Sequence, residues 1–225
     1  MRLPQPLWVT LAASLLYAVT GVHAGGNLPI AVSPVVVKMD ALTEFSSVLV
    51  GNRGDQATGI EIEVFRVQWV DGQEQYHPTK DFIVSPPTFR LLANKDRLVR
   101  FRYSGLRHNA EDFYRMFIRQ LPEVAVNNQI NMVVNLGVPI FVAPLDLHPA
   151  LTVVSGAGET KTYTLRNSGN VTLNVMKLEG KSCPQGPQKM LARLSPGQQS
   201  PLSADIALCA TAVQTDQGLI QLTPI

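Results

Sequence analysis

The chain has 225 residues, with 19 Lys+Arg against 17 Asp+Glu and a formal net charge of +2. So near-neutral a chain lacks the basic face that bulk nucleic-acid binding needs. Its length suits one large domain or two of about 100 residues each.

Residues 1–24 read MRLPQPLWVTLAASLLYAVTGVHA: Arg2 precedes an apolar stretch that ends in Val22-His23-Ala24. This is the pattern of a secretory signal peptide cleaved after Ala24. The stretch is shorter than the ~20 residues that span a bilayer, so no membrane insertion is expected. Cleavage would leave 225 − 24 = 201 residues, and the loss of Arg2 would take the net charge from +2 to +1. Cys183 and Cys209, an even pair in an exported chain, read as a disulfide. Such a loop closure is worth ~3 kcal/mol. A metal or redox pair is the poorer reading, because CxxC spacing is absent and no His lies nearby.

From residue 25 short apolar runs alternate with turn chemistry. PIAVSPVVVKM, FSSVLVGN, GIEIEVFRVQWV, DRLVRFRYS, DFYRMFIRQL and INMVVNLGVPIFV are separated by NRGD, VDGQ, SPP and SGLRHNAED. Six or more β-branched and aromatic runs in so short a span predict an antiparallel β-sandwich. SGLRHNAED has room for a turn of helix. APLDLHPAL, with Pro144 and Pro149, suits an interdomain hinge. The pattern then restarts with LTVVSG, TKTYTLRNSGN, TLNVMKLEG, KMLARLSPGQ, SADIALC and GLIQLTP, all read as strands. The expectation is an all-β chain of two tandem immunoglobulin-like sandwiches: signal peptide 1–24, first domain 25–144, second domain 145–225.

Catalytic material is thin. His77, His108 and His148 fall in expected loops without HExxH or HxH spacing, and there is no G-x-S-x-G, P-loop or glycine-rich turn opening a helix. Glu61 and Glu63 share one strand face, which reads as a solvated face. Asn170-Val171-Thr172 forms a sequon, a pattern common by chance. No enzyme, catalytic residue, cofactor or metal is expected.

The arginines are more suggestive. RLVRFRYS places Arg100 and Arg102 on one strand face; YRMFIRQLP places Arg115 and Arg119 on one face and Tyr114, Met116 and Ile118 on the other. A strand arginine is most often a snorkelling surface residue. Its planar fork also holds a carboxylate in bidentate fashion. Just after them NNQINMVVNLGVPIFVAP carries no charge, and no Asp, Glu, Lys or Arg occurs between Glu123 and Asp146. Ile130, Met132, Val134 and Leu136 fall on one side of this run, Asn131 and Asn135 on the other. A long uncharged apolar strand pairs readily with other chains unless something covers it.

These features, in order, resemble the PapD-like periplasmic pilus chaperones of the chaperone–usher pathway. The resemblance runs through SPVVVKM, LLANKDRLVRF, EDFYRMFIRQLP, INMVVNLGVPIFVAP and LRNSGNV. It implies periplasmic localisation and a fimbrium-assembly role. Pilin subunits would be the clients, and an outer-membrane usher would receive them. It also implies donor-strand complementation, a form of β-augmentation: Ile130, Met132, Val134 and Leu136 would fill the groove of a subunit lacking its last strand, each burial being worth ~1.5–3 kcal/mol before ordering costs. The free chain would be covered by a second copy, as a self-capping dimer. The best-known members hold the subunit's terminal carboxylate with an Arg and a Lys, whose positions here are Val36 and Pro139. The anchor is therefore expected at Arg115, then Arg100 or Arg102, then Arg119. Tyr114-Arg115 and the NSGN turn followed by the cysteine pair suit a divergent, archaic or alternative branch. The competing reading is an exported structural or adhesive pilus subunit of two such domains; a small exported hydrolase or sugar-binding module would need paired carboxylates or aromatic platforms that the chain lacks.

Overall fold

The computed structural model describes residues 29–70, 73–122, 133–156, 161–180, 183 and 188–222; the expected signal peptide lies outside them. The first ten strands are β1 (Ile30–Ser33), β2 (Val37–Met39), β3 (Phe45–Asn52), β4 (Thr58–Val70), β5 (Gln73–Pro78), β6 (Phe82–Ser85), β7 (Thr88–Leu91), β8 (Asp96–Tyr103), β9 (Asp112–Gln120) and β10 (Asn135–Val142). One sheet runs β1-β3-β8-β6, and the other runs β2-β10-β9-β4-β5 with β7 also on β4. The second half holds β11 (Leu151–Ser155), β12 (Tyr163–Asn167), β13 (Leu173–Glu179), β14 (Gln188–Leu194), β15 (Gln199–Leu202), α1 (Ala204–Cys209), β16 (Ala212–Thr215) and β17 (Gly218–Gln221). Its sheets run β11-β12-β15 and β14-β13-β16-β17. The chain is two immunoglobulin-like β-sandwiches in tandem.

Alternation builds each sandwich, because successive strand residues point to opposite faces. In β9, Tyr114, Met116 and Ile118 are fully buried, while Phe113, Arg115, Phe117 and Arg119 take the outer face. Val48, Val50, Ile60, Ile62, Val99, Phe101, Val138 and Ile140 join the same core. A separate core gathers Leu165, Leu173, Val175, Leu178 and Val213.

Several local readings of the sequence change. SADIALC is not a strand: residues 204–209 are α1. Ala204, Ala207 and Leu208 favour helix, and Asp205 in the first turn meets the positive end of the helix dipole. The strand-like alternation of Ile206 and Leu208 buries nothing regular, for Ala207 is buried and Leu208 is 69% exposed. SGLRHNAED forms no helix; its turns are held by Tyr103 Oη donating to Leu106 O (2.7 Å) and by Arg107 donating to Ala143 O (2.7 Å) and Thr43 O (2.8 Å). His77 lies on strand β5 rather than in a loop. Strands β5, β6, β7, β15 and β16 carry no separate signal in the sequence.

Cys209, the last residue of α1, is disulfide-bonded to Cys183 with a Cα–Cα distance of 5.0 Å. The two sandwiches touch through polar contacts. Lys38 Nζ meets Asp216 Oδ2 at 2.8 Å. Glu111 Oε2 accepts from the Thr172 N–H (3.0 Å), and the Glu111 N–H donates to Asn170 O (2.8 Å). The Asn170 amide donates to Asn109 O (2.9 Å) and Asp146 O (2.7 Å) and accepts from the His148 N–H (2.7 Å). That leaves the side-chain nitrogen of the sequon asparagine with both protons engaged.

Candidate functional site

Strand β10 is paired along one side and half open along the other. Residues Asn135–Val142 pair antiparallel with Arg119–Asp112 of β9. On the opposite side β2 covers just three residues, in parallel register: Ile140↔Val37, Phe141↔Lys38 and Val142↔Met39. Among the described residues nothing pairs with the outer edge from Asn135 to Pro139. The Gln120 N–H donates to Val134 O (2.8 Å), so even-numbered residues direct their backbone groups at β9 and odd-numbered ones direct theirs outward. The Ala143 N–H, which donates to Met39 O of β2 (2.8 Å), continues that phase.

The side chains of β10 are graded. Val138, Ile140 and Val142 are buried in the core, and Val134 and Leu136 pack against it half-buried. Val133 and Asn135 are exposed on the other face. Ile130 and Met132 lie outside the described residues. Gly137 faces Arg115 and Phe117: a Cβ there would sit 3.1 Å from Arg115 Cδ and 3.4 Å from Phe117 Cε1, so a larger residue would press on both.

Beside the open edge lies a cleft of about 400 Å³ between the two sandwiches, lined by Trp69, Glu74, Arg115, Pro139, Arg193 and Gln198. Arg115 stands directly opposite Pro139. Its Nη2 donates to Glu74 Oε2 (2.7 Å), with the two side chains 18% and 19% exposed. Tyr76 Oη donates to the same carboxylate oxygen (2.6 Å), and that bond pushes the Tyr76 phenol above its ordinary range. Four groups then stack across the domain boundary. Arg115 lies over the Phe113 ring (5.2 Å), Phe113 stacks on Phe141 (4.8 Å, 15° between planes), and Arg193 caps Phe141 from the second sandwich (4.1 Å). Each cation–ring contact adds ~0.5–2 kcal/mol as it loses water. Arg193 makes no ion pair among the described residues. Burial lowers its pKa below the ordinary value; Glu111 and Asp216 oppose that, and Arg115 adds to it.

The other expected anchors are not brought here. Arg100 and Arg102 lie on β8 of the opposite sheet, both exposed, with Arg102 Nη2 on Glu44 (3.1 Å). Arg119 shares the outer face of β9 but is paired with Glu63 and covers Phe65 and Phe117. Val36 and Pro139 each come one residue before the paired register Val37↔Ile140, and neither side chain supplies a cation there. Glu74, Trp69 and Arg193 join the site without being singled out by the sequence. Arg193 lies in the run KMLARL, and no local pattern links it to a strand of the other domain.

A network of a different kind fixes β9. Tyr114 Oη donates to Asp81 Oδ2 (2.8 Å) and accepts from Arg66 Nη2 (2.8 Å); Arg66 also reaches Asp81 (3.1 Å) and Asp112 (3.2 Å). Burial above all, then hydrogen bonding with Tyr103 and Asp81 and the nearby Asp112 charge, push the Tyr114 phenol far up. Burial alone would raise Asp81, but hydrogen bonds from Thr79, Tyr114 and Arg66 hold it below its ordinary value. Among the described residues no group of three His, Cys, Asp or Glu is placed to hold a metal ion, and no helix is long and apolar enough to cross a membrane.

Comparison with known proteins places this architecture. The CsuC chaperone, solved with the CsuE tip adhesion subunit from archaic Csu pili of Acinetobacter baumannii, superposes with a TM-score of 0.57 at 17% identity, over 87% of this chain and 99% of that one. The class 5 fimbriae chaperone CfaA gives 0.67 at 12% identity, over 87% and 100%. SafB, solved with the SafA pilin of Salmonella enterica, gives 0.55 at 18%, over 84% and 91%. No curated protein matches by sequence. Residues 29–148, more than half of the chain, match the family described as pili and flagellar-assembly chaperone, PapD N-terminal domain. The chain belongs to that family of pilus chaperones, as a divergent member.

Proposed function

We propose that the protein is a periplasmic chaperone that holds one pilin subunit at a time by donor-strand complementation and delivers it to an outer-membrane usher. The observation that carries this reading is the edge of β10 without a partner from Asn135 to Pro139 among the described residues. An edge of that kind invites a further strand, and adding one supplies both a backbone ladder and a row of alternating side chains. Ile130, Met132, Val134 and Leu136 are the donated side chains, in a run that ends where the core of the first sandwich thins toward the start of β10. CsuC and SafB, solved with a tip adhesion subunit and a pilin, support pilus subunits as the client class. Before a subunit arrives, a second copy of the chain is the cover for the same edge.

Arg115 is the anchor for the subunit's terminal carboxylate. It stands at the end of the open edge and faces a cleft, whereas Arg100 and Arg102 lie on the opposite sheet and Arg119 is committed to Glu63. A carboxylate arriving there must share Arg115 with Glu74, and Arg193 supplies a second cation on the far wall. The test is isolation of the affinity-tagged chain from the periplasm of its own cells. A one-to-one complex with a small immunoglobulin-like subunit is expected. Recovery of the chain alone, or as a building block of the fibre, would contradict the reading.

A further inference from the structure

Pro139 sits in the middle of a strand, where a missing N–H normally breaks a ladder. In β10 it breaks nothing inside the domain. Val134 exchanges with β9 through the bond from the Gln120 N–H, so Leu136, Val138 and Ile140 share that phase, and residue 139 directs its backbone nitrogen outward. The open edge therefore offers the N–H groups of Asn135 and Gly137 and then stops. One residue later the edge is closed, because Ile140 already stands beside Val37 of β2.

We propose that Pro139 fixes the register of the strand added by a bound pilus subunit, by ending its hydrogen-bond ladder at Gly137. This rests on the function proposed above and adds a specificity-determining residue to it. A slip by one residue would turn every apolar side chain to the wrong face. The alternation of Val134, Leu136 and Val138 thus excludes odd slips but leaves slips by two open. Pro139 removes the slip toward β2: a subunit carbonyl placed opposite the pyrrolidine ring finds no donor while the strand shields it from water, and an unmade bond there is costly. A slip the other way forfeits the donor at Gly137. Alternation and the missing donor together leave one register. The stop also places the end of the added strand against the arginine cleft, since Pro139 and Arg115 are register partners.

Residue-resolved amide exchange on the wild-type complex and on the complex of Pro139→Ala, each with the subunit that co-purifies with the wild type, tests this. The new N–H of the variant points outward, so the free variant should melt cooperatively, and that is checked first. In the wild-type complex the Asn135 and Gly137 amides should exchange more slowly than in the free chain. In the variant the new amide at position 139 should join them, slowed about tenfold or more on binding, as a newly formed bond requires. If Asn135 and Gly137 are protected but the new amide is not, the ladder ends for another reason; the inference falls and the donor-strand reading stands. If none of the three is protected, both fall.

Discussion

Arg115 carries more constraint than any other single residue in the proposed site, because it already has a partner. Its guanidinium is bonded to Glu74, and both are mostly withdrawn from solvent. Arg115→Ala should abolish recovery of the subunit complex while leaving the free chain folded. Glu74→Gln removes the competing charge and should leave capture intact or strengthen it. If Arg115→Ala captures subunit normally and Arg102→Ala does not, the anchor lies on the other sheet. Asp81 gives a pH prediction. Its folded pKa is lowered, so its contribution is present above the unfolded value of about 4 and is lost as pH falls through the lower folded value. Asp81→Asn should therefore flatten the acid limb of the melting curve and leave the limb above neutrality unchanged. An unaltered acid limb would show that Asp81 is not what the acid titrates.

At the scale of elements, β9 and α1 show what is legible in the sequence. In DFYRMFIRQ the alternation sends Tyr114, Met116 and Ile118 to the core and Arg115 and Arg119 outside, as the pattern predicts, whereas Phe113 and Phe117, apolar as well, take the outer face against Phe141 and Arg119. QEQYHP gives no such signal, because its residues are mostly exposed and its place on β4 comes from backbone pairing, not from a buried face. SADIALC misleads because so short a run does not separate a helical period from alternation. Val36 and Pro139 are legible as apolar positions, but that the nitrogen of Pro139 faces the open edge follows only from the phase of the β9–β10 ladder. Arg193 is not legible at all, since its partners are Phe141 and a cleft made by another domain. Strand β10 itself predicts a gradient. Val138→Asp places an unpaired carboxylate in the core and should cost several kcal/mol of folding stability. Val134→Asp, at the half-buried start of the same face, should cost clearly less. Chemical denaturation of the two free variants measures this; equal losses would make 134–142 one uniform core strand.

The whole molecule joins two sandwiches by contacts that are mainly polar and by one stack of rings and cations. Lys38–Asp216, Glu111 with the Thr172 N–H, and Arg193 on Phe141 all cross the boundary. The second sandwich also holds the Cys183–Cys209 disulfide, which closes a loop of sequence separation 26. Reduction should destabilise that domain by ~3 kcal/mol. The first sandwich has its own core and should keep its melting transition; calorimetry with and without reductant separates the two, and loss of both transitions together would mean that they fold as one unit. This arrangement leaves the first domain free to offer one edge while the second walls the cleft at its end. The central claim is that the half-open start of β10 and the segment before it are lent to a partner, while Val138, Ile140 and Val142 stay in the core. The most direct test compares Met132→Asp with Asn131→Asp, by thermal melting of each free variant and by capture of the subunit. The account predicts that Met132→Asp melts close to wild type yet loses the subunit, whereas Asn131→Asp keeps both. A Met132→Asp variant that loses as much stability without a subunit as a core lesion such as Val138→Asp would contradict it.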